Sequence, residues 1–146
     1  MNNPILKITR TRKDAIIPRY AHEDDSGLDL FSVDALPLEP GQFKLVKTGI
    51  KIELPDNTEA QVRPRSGLAY KNGITVLNTP GTIDQGYRGE IGVILINHSK
   101  KTFHITAGMK IAQMVIMPVL RPHVVVSEEL SDTARGEGGF GSTGNN

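Results

Sequence analysis

The chain contains no cysteine, which excludes disulfides, thiolate metal sites and a cysteine nucleophile. It also lacks an excess of either charge. With 17 basic and 16 acidic side chains the net charge is +1, so nothing draws the protein broadly to nucleic acid or an anionic membrane, and any phosphate binding has to be local. No segment approaches the ~20 consecutive apolar residues of a membrane span. The opening Met1–Lys7 has neither the basic region nor the apolar stretch of a secretory signal. The expectation is a soluble, intracellular, cytoplasmic protein with no nucleic-acid or membrane partner. The four histidines, His22, His98, His104 and His123, show no His-Glu-x-x-His spacing. No serine occupies a Gly-x-Ser-x-Gly elbow, and Asp24, Asp25 and Asp29 do not fit a calcium-binding hand loop.

What is present points to strands. The 146 residues fit one domain, and 15 glycines and nine prolines punctuate short apolar alternations, which favours many strands over long helices. Ile5–Ile8 reads as an edge strand and Pro37–Gly41 as a turn. Phe43 and Leu45, then Ile50, Ile52 and Leu54, then Thr58–Arg63 alternate as half-buried strands do. Ile74–Leu77, Ile91–Ile96, Phe103 with Ile105, Met109–Met117 and Val124–Val126 complete the set, with the Ile91 and Met109 runs expected at the centre. The one short helix is Ser66–Asn72, with Ser66 placed to cap it and Gly73 to end it. About ten strands with regular turns predict an all-β fold, a jelly-roll-like barrel or sandwich. From Ser131 onward little remains to bury, so residues 131–146 are expected to form a flexible arm beside a 1–130 domain.

Three stretches carry possible chemistry. Thr79–Glu90 sets Asp84 and Tyr87 between the turn signals Pro80-Gly81 and Gln85-Gly86 and predicts a rigid hairpin. Asp84 has an ordinary reading as an Asx-turn residue and a functional one as a carboxylate fixed at the mouth of a buried strand. Arg63-Pro-Arg-Ser-Gly-Leu-Ala69 places Arg65 and Ser66 at a helix start, where free backbone donors favour an anion. Arg135-Gly-Glu-Gly-Gly-Phe-Gly-Ser-Thr-Gly144 combines mobile backbone N–H groups, two hydroxyls and an arginine fork suited to phosphate, without the Gly-Lys-Ser/Thr ending of a Walker loop. Phe140 in its midst suggests a docked segment rather than a plain linker. Asp29, after Ser26-Gly-Leu, could orient water around a hard divalent ion.

Taken in order with Gly108-Met-Lys-Ile-Ala-Gln-Met114, these stretches resemble the five motifs of the homotrimeric dUTP diphosphatase (dUTPase) family, spanning almost the whole chain. The resemblance implies a jelly-roll-like subunit, a homotrimer with active sites between subunits, and Mg2+-assisted hydrolysis of dUTP to dUMP and diphosphate. That reaction keeps uracil out of DNA and supplies dUMP for thymidylate synthesis. It implies that Asp84 holds the sugar 3′-hydroxyl and orients the attacking water. Asn78 and the backbone of Gly81, Thr82 and Ile83 would read uracil, and Tyr87 would lie against the deoxyribose. Arg65, Ser66, Gly67 and Gln113 match phosphate-contacting positions, and Asp29 matches the residue that binds metal-bound water. In the arm, Arg135, Gly141, Ser142 and Thr143 would hold the outer phosphates while Phe140 stacks over the base. The related dCTP deaminases resemble the chain less, with a catalytic glutamate where Ile94 stands and a Ser-Ser pair where Arg65-Ser66 stand. A non-catalytic trimeric regulator of this fold would be expected to lack Asp84 or the arm.

Overall fold

The nine-residue strand β11 (Lys110–Pro118) is the longest element, and the fold is laid out around it. It pairs antiparallel with β2 (Leu28–Phe31) on one side and with β6 (Thr58–Arg63) on the other. The far edge of β6 takes β8 (Gly81–Ile83), which completes a four-stranded sheet. A second sheet places β9 (Gly92–Asn97) between β4 (Phe43–Lys47) and β7 (Ile74–Val76). Two further antiparallel pairs, β1 (Lys7–Arg10) with β5 (Ile50–Glu53) and β3 (Leu36–Leu38) with β10 (Phe103–Ile105), cover the remainder. The structure, a computed structural model, describes residues 3–145. Within them the fold is an open, jelly-roll-like β structure whose sheets do not close into a barrel, with the one helix α1 (Ser66–Asn72). No described helix is long and apolar enough to cross a membrane.

Alternation along the strands builds the core. Leu30, Ala60, Val62 and Met114 of the four-stranded sheet meet Val46, Val76, Val93 and Leu95 of the three-stranded one in a single buried cluster. Burying an aliphatic side chain of this kind contributes roughly 1.5–3 kcal/mol. The buried polar residue Asn97 is fully used: its Nδ2 donates to Leu38 O (2.9 Å) and Lys101 O (2.8 Å), and its Oδ1 accepts from Ser99 N (2.9 Å).

Several expectations are corrected. The segment Pro37–Gly41 is not one turn, because Leu36–Leu38 pairs with β10 and the turn begins at Glu39, whose carbonyl accepts from Gln42 N. Helix α1 has the predicted bounds and ends on Gly73 at φ 66°, but its N-cap is Arg65 and no side chain caps it. Pro80-Gly81 is not a turn: the chain reverses earlier, with Thr79 N donating to Val76 O, and Gly81 opens β8. Nor are β8 and β9 the arms of a hairpin, since β8 pairs with β6 and β9 with β4 and β7. In β9 only one face is fully buried, with Ile94 and Ile96 half-buried on the other. Val124–Val126 forms no strand, and all three side chains stand exposed. β propensity alone cannot make a strand without an edge to pair with.

Candidate active site

Residues 77–91 leave the hairpin β7–β9, pair with β6 as β8, and return. The return turn is closed by Tyr87 N donating to Asp84 O (3.0 Å). Gln85 fastens it to the neighbouring turn: its Nε2 donates to Asp56 Oδ1 (3.0 Å), and its Oε1 accepts from Asn57 N (3.0 Å) and Arg121 Nη2 (3.3 Å). Arg88 Nη1 donates to Gln85 O (2.9 Å). Tyr87 Oη donates to Glu90 O (3.0 Å), which fixes the ring over the loop. This excursion walls a cavity of about 380 Å³ lined by Leu45, Val62, Val76, Asn78, Tyr87 and Ile94, with Gly81, Thr82 and Ile83 at its edge. A smaller hollow of about 180 Å³ on the same loop holds Asp84 beside Tyr87 and Ile83. Asp84 is exposed, and its carboxylate makes no hydrogen bond or ion pair with any described residue.

A second cavity, about 410 Å³, is polar and is lined by Asp29, Arg65, Ser66, Gly67, Lys110 and Gln113. Asp29 lies in β2 and is 9% exposed. Lys110 Nζ stands 3.0 Å from its Oδ2 and Arg65 Nε 4.0 Å from its Oδ1. The lysine approaches off the direction a hydrogen bond needs, so Oδ2 is buried beside a charge but without an aligned donor. Gln113 Nε2 donates to Pro64 O (3.0 Å), holding the amide at the rim. A Cβ at Gly27 would fall 2.5 Å from Gln113 Oε1, so any side chain there has to displace the amide.

Among the described residues no three His, Cys, Asp or Glu side chains come together as a dedicated metal cage. Magnesium rarely needs one: it keeps several waters and is typically held by one or two carboxylates plus substrate phosphates. A single buried carboxylate with an unsatisfied oxygen, facing a cavity of cations and hydroxyls, fits that mode. The Lys7 ammonium, by hydrogen bond and charge, holds the exposed Glu53 carboxyl below its usual range, and Arg12 does the same for Asp14.

The two cavities lie on opposite faces of the four-stranded sheet. Val62 faces the first, while its neighbour Arg63 pairs with Gln113, which faces the second. Successive residues on a strand point to opposite sides. Asp84 is also remote from Arg65 along β6. Ile83 pairs with Ala60, and the five residue steps from Ala60 to Arg65, most of them along β6, reach up to roughly 16 Å at ~3.3 Å per residue. One chain therefore groups Asn78, Gly81, Thr82, Ile83, Asp84 and Tyr87 in one place and Asp29, Arg65, Ser66, Gly67 and Gln113 in another. The third group, Arg135, Phe140, Gly141, Ser142 and Thr143, meets neither. Beyond Arg121 the described chain makes only local hydrogen bonds, such as Arg135 Nε to Gly138 O (2.8 Å), and Phe140 is fully exposed. The docking partner expected for Phe140 is not found within the described chain.

Sequence reasoning passed over Ser26, Gly27 and Lys110 in the polar cavity and Lys47 and Glu90 in the apolar one. Ser26, Gly27, Glu90 and Lys110 stood inside recognised motifs, and their proximity to Asp29, Tyr87 and Gln113 was the available signal.

Fold and cavities define a jelly-roll-like β protein with one largely apolar and one polar cavity. The profile of the dUTPase family matches residues 13–144. The chain belongs to the dUTPase family, and its enzyme class is that of a dUTP diphosphatase. It is 67% identical over 139 residues to the deoxyuridine 5'-triphosphate nucleotidohydrolase of Gloeothece citriformis, covering 95% of this chain and 96% of that one. It is 60% identical over 144 residues to the Clostridium tetani protein of the same name, covering 99% of each. Among solved structures it is similar to a mutant dUTPase of Staphylococcus bacteriophage 80alpha with dUpNHpp, at TM-score 0.90 and 28% identity, covering 96% of this chain and 98% of that one. A mutant dUTPase of the S. aureus phage phi11, studied for the coordination of a structural Mg(II) ion, gives TM-score 0.82 at 26% identity, covering 88% and 99%.

Proposed function

We propose that the protein hydrolyses dUTP to dUMP and diphosphate in the cytoplasm, as a homotrimer whose active sites are shared between subunits. The observation that carries the shared site is the placement of the two cavities on opposite faces of one sheet. A triphosphate chain cannot bridge Asp84 and Arg65 of the same subunit, whereas a neighbouring copy can set its own Arg65, Ser66, Gly67 and Gln113 against the nucleoside half. The arm, residues 131–146 beyond the 1–130 domain, largely exposed over its described residues, supplies the third part.

In this reading Asn78 and the backbone of Gly81, Thr82 and Ile83 meet the edge of uracil, and the Tyr87 ring lies where a 2′-hydroxyl would have to fit. Asp84, free of internal partners, takes the 3′-hydroxyl and accepts a hydrogen bond from a water in line with the α-phosphorus. A base so placed contributes typically ~10²- to 10⁴-fold. Arg65, Ser66 and Gln113 neutralise and orient the phosphates, and Asp29 receives metal-bound water. When bound, Mg2+ offsets charge on the phosphate oxygens. Closure of the arm through Arg135, Phe140, Gly141, Ser142 and Thr143 excludes bulk water and strengthens each polar contact.

The test is diphosphate release from dUTP, dCTP, dTTP and UTP, combined with sedimentation of the protein. Selective turnover of dUTP by a species three times the 15.9 kDa chain mass is expected. Comparable turnover of all four nucleotides, or full activity in a monomer, would refute the reading. Asp84→Asn should retain dUpNHpp binding while losing at least ~10²-fold in kcat.

A further inference from the structure

Lys110 lines the polar cavity, yet strand alternation does not put it there. Gln113 pairs with Asp29 and faces the cavity. Counting back in twos, Ile111 would share that face and Lys110 would enter the core. The ladder instead shifts register between Lys110 and Ala112. Ile111 and Ala112, adjacent in sequence, are both buried in the core, and Lys110 comes opposite Phe31 beside Asp29. Bulges of this kind re-aim a side chain, and here the side chain delivered is a cation, 3.0 Å from a buried carboxylate oxygen that has no aligned donor.

A buried carboxylate left without a counter-charge is costly. Arg65 does not fill that need closely: its Nε is 4.0 Å from Oδ1 and its Nη1 is directed at Lys110 O (3.4 Å). Lysine carries a compact charge on a flexible stem, and this one is still 36% exposed, so it can leave as readily as it holds.

We propose that Lys110 is a placeholder cation. In the nucleotide-free enzyme its ammonium occupies the Asp29 carboxylate and keeps a divalent ion from settling there alone; when a metal-bearing triphosphate enters, Lys110 turns from Asp29 to the phosphate oxygens. The metal accordingly enters with the nucleotide rather than ahead of it. This inference rests on the reading of the polar cavity as the phosphate site.

The experiment measures Mn2+ binding to the nucleotide-free full chain by electron paramagnetic resonance, for wild type, Lys110→Met, Lys110→Gln and the double variant Asp29→Asn/Lys110→Met. Removing the ammonium should tighten Mn2+ binding by at least about tenfold, and adding Asp29→Asn should abolish the gain. Equal Mn2+ affinity in wild type and both single variants overturns the proposal, and Lys110→Gln supplies the comparison if Lys110→Met does not fold. In metal-free buffer, dUpNHpp should bind Lys110→Met about fivefold or more weakly than wild type; unchanged affinity overturns the turn toward phosphate. If the wild type fails to bind dUpNHpp at all while the Mn2+ contrast holds, the nucleotide reading falls and the hold of Lys110 on Asp29 stands.

Discussion

Gly89 and Tyr87 are packed so closely that no side chain fits between them: a Cβ at Gly89 would stand 2.3 Å from Tyr87 Oη and 2.5 Å from Cζ. The glycine is therefore the seat on which the ring rests, with the hydroxyl tied to Glu90 O. In Gly89→Ala the ring has to swing out. Because Tyr87 is already 47% exposed, the swing should cost little stability, under about 1 kcal/mol. On the proposed role of the ring in excluding the 2′-hydroxyl, rejection of UTP relative to dUTP should fall by about tenfold. Unchanged discrimination, read as the ratio of kcat/KM values, would remove Tyr87 from that role.

Gly27 serves Gln113 in the same way. A methyl group there would meet Oε1 at 2.5 Å, displacing an amide that Pro64 O holds in place. The variant Gly27→Ala should raise KM for dUTP by about three- to tenfold with a smaller change in kcat, the pattern of lost uniform binding. A thermal melt run alongside separates this from unfolding. An unaltered KM in a stable variant would show that Gln113 does not touch substrate.

Local pattern made much of this legible. The bounds of α1, the alternation of β5 and β6 and the central place of β11 follow from apolar spacing and from Gly73; in β4 the expected face is inverted, with Phe43 and Leu45 exposed and Val46 buried. Strand pairing was less accessible. Nothing in Thr79–Glu90 states that Gly81–Ile83 pairs with Val62–Ala60 rather than with the strand that follows it, because partner choice is decided by distant chain. Lys110 was hidden for a related reason. Period-two counting assigns it to the core, and only the register shift beside Phe31 reverses that. Val124–Val126 shows the converse: β-branched residues describe a segment suited to an edge and do not supply the edge. The residues of the candidate site were legible as a set because their motifs occur in order. Their division between two sheet faces was not, since a linear pattern carries no second subunit.

Asn97 predicts a purely structural effect. It is 0% exposed and joins β9 to Leu38, Ser99 and Lys101 through both ends of its amide. In Asn97→Ala two carbonyls and one N–H lose that partner, and the expected loss is about 2–4 kcal/mol of unfolding free energy. Urea titration should show a lower midpoint with an unchanged slope. Protein concentration has to be held fixed, because the proposed trimer would unfold by mass action. A midpoint within error of wild type would mean that water or relaxation satisfies all three groups.

Removal of residues 135–146 sets stability against activity most directly. The described part of that segment bonds to itself and, through Gly136 N, to the nearby Thr133 Oγ1 (3.1 Å), and Phe140 presents its whole surface to solvent at φ 50°. Deletion should therefore leave the melting temperature and the sedimenting species unchanged. Turnover should fall at least about 10²-fold if the arm closes as proposed, bringing donors and excluding water once nucleotide is bound. The chain has no tryptophan, so Phe140→Trp installs its one indole at the proposed point of contact. Its emission should be that of a solvated indole in the free enzyme and should shift to the blue when dUpNHpp is added. An indole that stays solvated with analogue bound, together with full turnover by the truncated chain, would show that the arm takes no part in catalysis.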